Sequence, residues 1–468
     1  MASGRGFSVD GIALTNGFQP LWMWALVPVA WLTSGDSTAL LAAVQIAAVA
    51  IFCAAAALLT TGLRSVFGLV PALFGAGLLL VPPFMAVQVC GMESGLAMLL
   101  LVLWVTELWR GGALDRPDPA LRDLRAGTWL GLLLLARLDA VFLALALGIQ
   151  VAASGLAWGP GSSPERVGRT LRKGLALFGP SVLLLAPYLA WNVVRFGHLV
   201  PISGALKTDH SAPGWMPENL TLPYRALLLL VVVGASAALL RGSPRRLARI
   251  LPALAAGMVA QALHSLVFMH WAVFGWHFAL WVPVGAIALA LLAARAQAAV
   301  PTAVTRSALA AVALFLVAAQ GRAISRLHLG FTDATGEAGV WAAGSIPAGA
   351  VLAMKDSGAF TYYSGHDVVN LDGVVNGFAF EETLCRGELR QYLESHRVAY
   401  VVQHAVPGLS DGAYEVVMTY PCHFPNGRDS ELTFRSDQEV YRGRPYLDHL
   451  QQEHRLVVWR LAPDGSGP

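Results

Sequence analysis

From residue 18 to residue 321 the chain is a succession of apolar stretches of membrane length: 18–33, 36–60, 66–87, 92–109, 126–155, 174–192, 222–240, 250–271, 276–294 and 305–321. About 20 apolar residues in a helix cross a ~30 Å hydrocarbon core, and in lipid a helix or a closed barrel is needed to satisfy the backbone. The repetition confines this part of the chain to a polytopic helical bundle. Composition agrees, with 56% hydrophobic and 13% charged residues among 468 and a mean hydropathy of +0.58. The net charge is only +3, and the arginines fall in short clusters between apolar runs rather than on one basic face. That distribution argues against nucleic acid as a partner.

The clusters report topology instead, because short loops rich in Lys and Arg stay on the cytoplasmic side. Four stand out: Arg110 to Arg125, Arg166 to Lys173, Arg241 to Arg249, and the weaker pair Arg295 and Arg306. The stretch 126–155, "AGTWLGLLLLARLDAVFLALALGIQVAASG", lies between two of them and carries Arg137 and Asp139 near its middle. A single span would place both charges near the bilayer centre, at about 2.5–3.5 kcal/mol each. A hairpin avoids that cost. Its apex would be "ARLDA", its arms of roughly 11 and 16 residues would rise only ~16 and ~24 Å, and the apex would floor a water-filled depression screened from lipid. The plainer alternative is an Arg137/Asp139 pair that neutralises itself inside the bundle.

The same counting puts Glu93, at a helix start in "VCGMESGLA", on the outer side with Asp139, together with the loop from Arg195 to Pro223 and the turn carrying His270 and His277. The expected domains are a polytopic transmembrane part over 1–322 and an extracytoplasmic α/β part over 323–468. In the latter, "GAVLAMKDSGAFTYYSG" reads as strand, turn and amphipathic piece, "HDVVNLDGVV" as a strand ending in Asp-Gly, "GELRQYLESHRVAYVVQH" as helix then strand, and "RLVVWRLAP" as a last strand. An oxidising compartment would permit a disulfide between Cys385 and Cys422 without requiring one. No Walker loop, dinucleotide fingerprint, CxxC pair or HExxH is present. His264, His270 and His277 do not share one helix face, so no metal site is indicated.

The series "SVDGIALTNGFQPLW", "VCGMESGLAMLLLVLW", "LLLARLDAVFLAL", "PYLAWNVVRFGHLVPISGALKT" and "MKDSGAFTYYSGHDVVNLDGVVNG" resembles, in order and spacing over almost the whole chain, a bacterial branch of the polytopic C-type glycosyltransferases. The resemblance implies transfer of a sugar from a polyprenyl-phosphate donor to a glycan, lipid or protein acceptor of the cell envelope, at the outer face of the bacterial cytoplasmic membrane. The other readings are a transporter or flippase of a lipid-linked substrate and a noncatalytic partner in cell-envelope assembly.

Family members carry a first helix and an acidic loop motif upstream of the stretch resembling "NGFQPLW". This sequence starts nineteen residues before Pro20, and neither feature is recognised in it. Three explanations stand: a misassigned start, a degenerate gene, or Asp10 in the role of the motif. Some C-type enzymes hold a divalent ion through that motif, but no cofactor is indicated here.

The chemistry would be inverting or retaining attack of an acceptor hydroxyl on the anomeric carbon with a lipid phosphate leaving. It calls for a carboxylate base and for cations on the phosphate. Asp10, Glu93 and Asp139 are the candidate catalytic carboxylates. Arg195 and Lys207, which flank "FGHLVPISGA", and Arg137, held by Asp139, are candidates for phosphate contact. Asn16, Gln19 and Trp22 are candidates for sugar contact, through amide bonds and stacking. Asp356, Asp372 and Asn376 lie in loops that could meet an acceptor, although Asp-Gly and Asn-Gly are also turn chemistry.

Overall fold

The computed structural model describes residues 7–8, 10, 14–33, 36–112, 114–115, 119–158, 162–240, 243–271, 273–325, 330–406, 415–424, 427–447 and 452–461. Two compact units emerge: a membrane unit of Gln19–Trp191 and Thr208–Arg326, and a sheet unit that adds Met1–Phe18 and Asn192–Lys207 to Leu327–Pro468. Two segments distant in sequence thus join the sheet unit.

In chain order the helices are α1 (Pro20–Leu32), α2 (Ser37–Phe67), α3 (Leu69–Leu79), α4 (Pro82–Val89), α5 (Ser94–Gly111), α6 (Leu121–Ala136), α7 (Val141–Trp158), α8 (Ser163–Phe196), the short α9 (Ile202–Lys207) of the sheet unit, α10 (Leu222–Ala238), α11 (Arg245–Val267), α12 (Trp281–Ala299) and α13 (Thr302–Ser325). Among the described residues, seven helices are long and apolar enough to cross a membrane, or eight if the pair α3 and α4, bent by 69°, counts as one span. The bend comes where Pro82 and Pro83 open α4, the position at which a missing N–H costs a helix nothing. α12 packs chiefly on α3, α6 on α5 and α7 on α11. Small residues allow close crossings: Gly234 of α10 lies against Ala288, and Gly257 of α11 against Leu143.

The hairpin expected at 126–155 is present, with its break at Arg137. Its arms are longer than expected, 16 residues in α6 and 18 in α7, or about 24 and 27 Å. α6 starts at Leu121 and takes Arg122 and Arg125 into its first turns, so the apex approaches the far end of the bundle instead of a shallow midpoint. Likewise the basic segment 166–173 is helical, forming the opening turns of α8.

Three of the basic segments and Arg295 meet at one end of the membrane unit. Asp115 draws in Arg245, Arg246 and Arg249 at 3.7, 3.3 and 3.4 Å. Lys173 Nζ contacts Asp123 Oδ2 at 2.7 Å, and Arg295 donates to Ser243 Oγ at 2.7 Å. The opposite end gathers the loops after α9 and α11. Asp209 and Gly214 donate from their backbones to Phe268 and Val267, and Asn219 Nδ2 donates to the carbonyls of Ser265 and Met269 at 2.9 and 2.7 Å.

The sheet unit contains α14 (Gly330–Ser345), β1 (Val351–Met354), α15 (Gly358–Ser364), β2 (Val368–Asn370), α16 (Phe378–Cys385), α17 (Leu389–Ser395), β3 (Val398–Ala405), β4 (Glu415–Tyr420), β5 (Ser430–Arg435), β6 (Glu439–Arg442), β7 (Tyr446–Leu447) and β8 (Glu453–Arg460). The main sheet runs β2-β1-β3-β8-β6, and β7 pairs with β8. β1 is parallel to β2 and β3, whereas β8 is antiparallel to β3 and β6. Strand alternation sends Leu456 and Val458 to the face covered by α14, and Val457 and Trp459 to the face where Phe434 of the β4–β5 hairpin stacks on Trp459 at 4.9 Å. The four pieces read from sequence correspond to β1 with α15, β2, α17 with β3, and β8.

Cys385 and Cys422 form a disulfide with Cα atoms 4.8 Å apart. Glu381 lies beside them, but the paired sulfurs are already spent, so this is no metal site. The N-terminal stretch is bound into the same unit through Thr15 Oγ1, which donates to the Asn376 carbonyl at 2.5 Å.

Candidate functional site

The site at the end opposite the arginines is built from two interruptions of helix. After α4, the turn through Gly91, whose φ of +84° suits glycine, delivers Glu93 to the N-terminus of α5. Trp22 of α1 holds this turn by donating Nε1–H to the Gly91 carbonyl at 3.1 Å. At the second interruption α6 ends at Ala136 and Arg137 turns extended, with φ −153° and ψ 110°, before the chain resumes in a short 3-10 turn and α7. The break brings Asp139 back beside Arg137.

The guanidinium is shared by two carboxylates. Arg137 Nη1 donates to Glu93 Oε1 at 2.7 Å, while Nε and Nη2 fork onto Asp139 Oδ1 and Oδ2 at 3.1 and 2.8 Å. Gln261 of α11 donates to Asp139 Oδ2 at 3.2 Å and to the His277 carbonyl at 2.9 Å, and its Oε1 accepts from Trp281 Nε1 at 2.8 Å. The arginine and Glu93 side chains are 5% and 9% exposed, Asp139 24%. One cation faces two anions, so the cluster with its carboxylates ionised carries a charge of −1, and Asp139 is its most open member. Glu93 uses one oxygen on Arg137, and no described residue bonds the other. Around it Ser94 Oγ and Gln88 Oε1 are buried without a described partner. A guanidinium has five N–H groups, and two of Arg137's are left for a ligand.

Sequence reading named Glu93, Arg137 and Asp139, and the structure brings them together. It missed Gln261 and Trp281, because an amide within an apolar helix gives no local signal. It also missed the ring cluster one turn further on, where His264 lies 5.2 Å from Phe142 and 5.7 Å from His210 between ring centres.

The remaining candidates are elsewhere. Gln19 precedes α1 in the membrane unit and has a buried Oε1 without a described partner. Trp22 is nearly buried and already bonded, which makes it a brace for the Gly91 turn more than a stacking platform. Asp10, Asn16, Arg195 and Lys207 belong to the sheet unit. There Ser8 Oγ donates to Asp10 at 3.1 Å. Burial, with the Asp10 charge adding to it, pushes the Tyr392 phenol up to about 12. Asn16 is fully buried: its Nδ2 donates to Asn192 Oδ1 at 3.2 Å and its Oδ1 accepts from Ile202 N–H at 3.0 Å. The amide read as a sugar contact is therefore occupied in tying the N-terminal stretch to Asn192 and to the start of α9. Arg195 is exposed at the end of α8, and Lys207 is partly buried at the end of α9.

Residues 323–442 match a family described as a domain of unknown function (DUF8728). No curated protein sequence matches the chain. Among solved structures, ArnT from Cupriavidus metallidurans bound to undecaprenyl phosphate is similar over 100% of this chain and 92% of that one, at 14% identity and a TM-score of 0.50. Its apo state is similar over the same shares at 12% identity and a TM-score of 0.47. An oligosaccharyltransferase from Archaeoglobus fulgidus in complex with Zn and sulfate covers 83% of this chain and 59% of its own, at 14% identity and 0.44. The ArnT likeness spans both units, and the chain has the fold of a polytopic C-type glycosyltransferase.

Proposed function

We propose that the protein is a membrane glycosyltransferase that takes a sugar from a polyprenyl-phosphate donor and passes it to a cell-envelope acceptor at the outer face of the bacterial cytoplasmic membrane. The observation that carries this reading is the Glu93–Arg137–Asp139 cluster, an unbalanced and partly open group of charges at the ends of membrane helices, where ionisable residues are costly and kept for function. The undecaprenyl phosphate bound to ArnT supports a polyprenyl phosphate as the lipid. The gathering of basic segments at the other end of the bundle supports placing the cluster outside, and the Cys385–Cys422 disulfide supports an oxidising compartment for the sheet unit.

In this reading Glu93 is the base, because its second oxygen is available to an acceptor hydroxyl. Arg137 offers its two remaining N–H groups to the leaving phosphate, where charge grows during transfer. Asp139, bound to it twice and held in turn by Gln261, fixes the guanidinium plane. Gln19, in the same unit, is proposed as a sugar contact.

The test is release of free polyprenyl phosphate from a labelled polyprenyl-phosphate sugar by the full chain in lipid nanodiscs. Glu93→Gln keeps the shape and the acceptor for Arg137 but cannot take a proton, so transfer should fall about 10²–10⁴-fold with the protein still folded. A wild-type rate in that variant would remove Glu93 from the mechanism. Movement of the lipid-linked sugar across a bilayer without transfer would replace the reading by a transporter.

A further inference from the structure

A second acidic centre lies in the sheet unit, at the carboxyl ends of two parallel strands. β1 and β2 pair in register up to Met354 and Asn370, and Leu371 N–H still donates to the Met354 carbonyl at 3.0 Å. Two residues beyond the pairing come Asp356 and Asp372, side by side. The crevice outside the carboxyl ends of parallel strands is where open α/β sheets bind ligands. Asp356 takes φ +56°, a left-handed conformation that Asp and Asn tolerate better than other side chains. It is exposed and Asp372 half-buried. Burial and the neighbouring Asp356 charge hold the Asp372 carboxyl above its usual range.

Asn370 joins the two loops: Nδ2 donates to Ser357 Oγ at 3.1 Å, and Oδ1 accepts from Asp372 N–H at 2.9 Å. Asn376 Nδ2 donates to the Asn370 carbonyl at 2.8 Å, which pins this amide against the end of β2. The side chain is 3% exposed, and its Oδ1 is buried with no described partner. Every unsatisfied group here is an oxygen acceptor. The Asp372 carboxylate accepts from Val375 N–H at 3.4 Å and is also favoured by the Asn370 side chain and the Val374 N–H, and no described residue bonds the Asp356 carboxylate. The Lys355 charge acts on Asp356, but no described lysine or arginine bonds either carboxylate.

The geometry points to a divalent-cation site formed by the Asp356 and Asp372 carboxylates and the Asn376 side-chain oxygen. Hard oxygen ligands with two negative charges suit Ca²⁺, Mg²⁺ or Mn²⁺ rather than a soft metal. The ion would fix the 371–377 loop, whose Gly373 lies against Leu206 and whose Asn376 carbonyl receives Thr15. It would thereby order the two segments that bear Asn16 and Lys207. The inference is independent of the proposed transferase activity.

The experiment counts Mn²⁺ bound to the full-length protein in detergent by the electron paramagnetic resonance of the free ion, with Ca²⁺ as competitor. The wild type and Glu93→Gln should both bind the ion. Asp356→Asn keeps the backbone conformation and Asp372→Asn keeps the turn acceptor, and each should weaken binding at least ~10-fold. Equal binding by the wild type and Asp356→Asn, or no binding by the wild type, would overturn the site. Should Asp372→Asn fail to fold, the exposed Asp356 position decides alone.

Discussion

The membrane unit buries two ion-pair centres, one at each end, and they differ in charge balance. At the arginine-rich end Lys173 meets Asp123, with side chains 6% and 0% exposed, and Asp123 also accepts from Ala120 N–H at 2.7 Å. At the other end one arginine serves two carboxylates, and Asp139 remains open. This lysine–aspartate contact joins α6 to α8. An extra negative charge in a membrane helix bundle weakens the fold unless something compensates it, and the proposed chemistry would give the unbalanced centre its reason. Charge balance and the openness of Asp139 are the two differences that would separate a brace from a site.

The largest effect should follow from removing the shared cation. Arg137→Ala leaves Glu93 and Asp139 facing each other without a counter-charge, which should cost about 3–5 kcal/mol of stability and lower transfer about 10²–10³-fold. Adding Glu93→Gln to that variant removes the repulsion. The double variant should recover stability in a thermal melt and remain inactive. Recovery of both together would mean that the cluster is only a brace, like its counterpart.

Lys173→Met is the matched control. It strands Asp123 in a closed site and should also cost about 3–5 kcal/mol, whereas Lys173→Met with Asp123→Leu should return most of it, since an apolar pair of similar volume is often as stable as a buried ion pair. The rate of transfer per folded molecule should stay at the wild-type value in both. A drop in that rate would extend the functional site to the arginine-rich end and dissolve the contrast.

One side of this contrast was legible in the sequence, for physical reasons that also mark the limits. Apolar runs reveal helices because lipid permits little else, and the hairpin over 126–155 follows from two charges that a single span could not carry. Glu93 was legible from parity alone. The bend between α3 and α4 was hidden inside one apolar run. The Asp123–Lys173 pair was hidden because its members are fifty residues apart in segments whose net charge is positive, and charge counting reads sums rather than partners. The same limit applies to Asn16. A polar residue before a tryptophan near a membrane reads as a sugar contact, and only the fold shows its amide occupied by Asn192 and Ile202.

The acidic crevice of the sheet unit extends the comparison to a centre with two anions and no bonded cation, and predicts the smallest effect through its sign. The Asp372 carboxyl is held above its usual range by burial and by Asp356, so in the folded protein it keeps its proton to higher pH than in the unfolded chain. The stability this contributes is full below the unfolded value and is lost as pH rises through the folded one. In chelator at neutral pH, Asp372→Asn should therefore melt slightly higher than the wild type, and the difference should shrink as the pH falls toward the carboxylate range. With Mn²⁺ present the order should reverse, because an ion that binds the folded state stabilises only the chain that can hold it. A variant that stays below the wild type in chelator at every pH would mean that the Asp372 carboxylate already has its compensation inside the protein, which would make this centre a brace of the Lys173 kind.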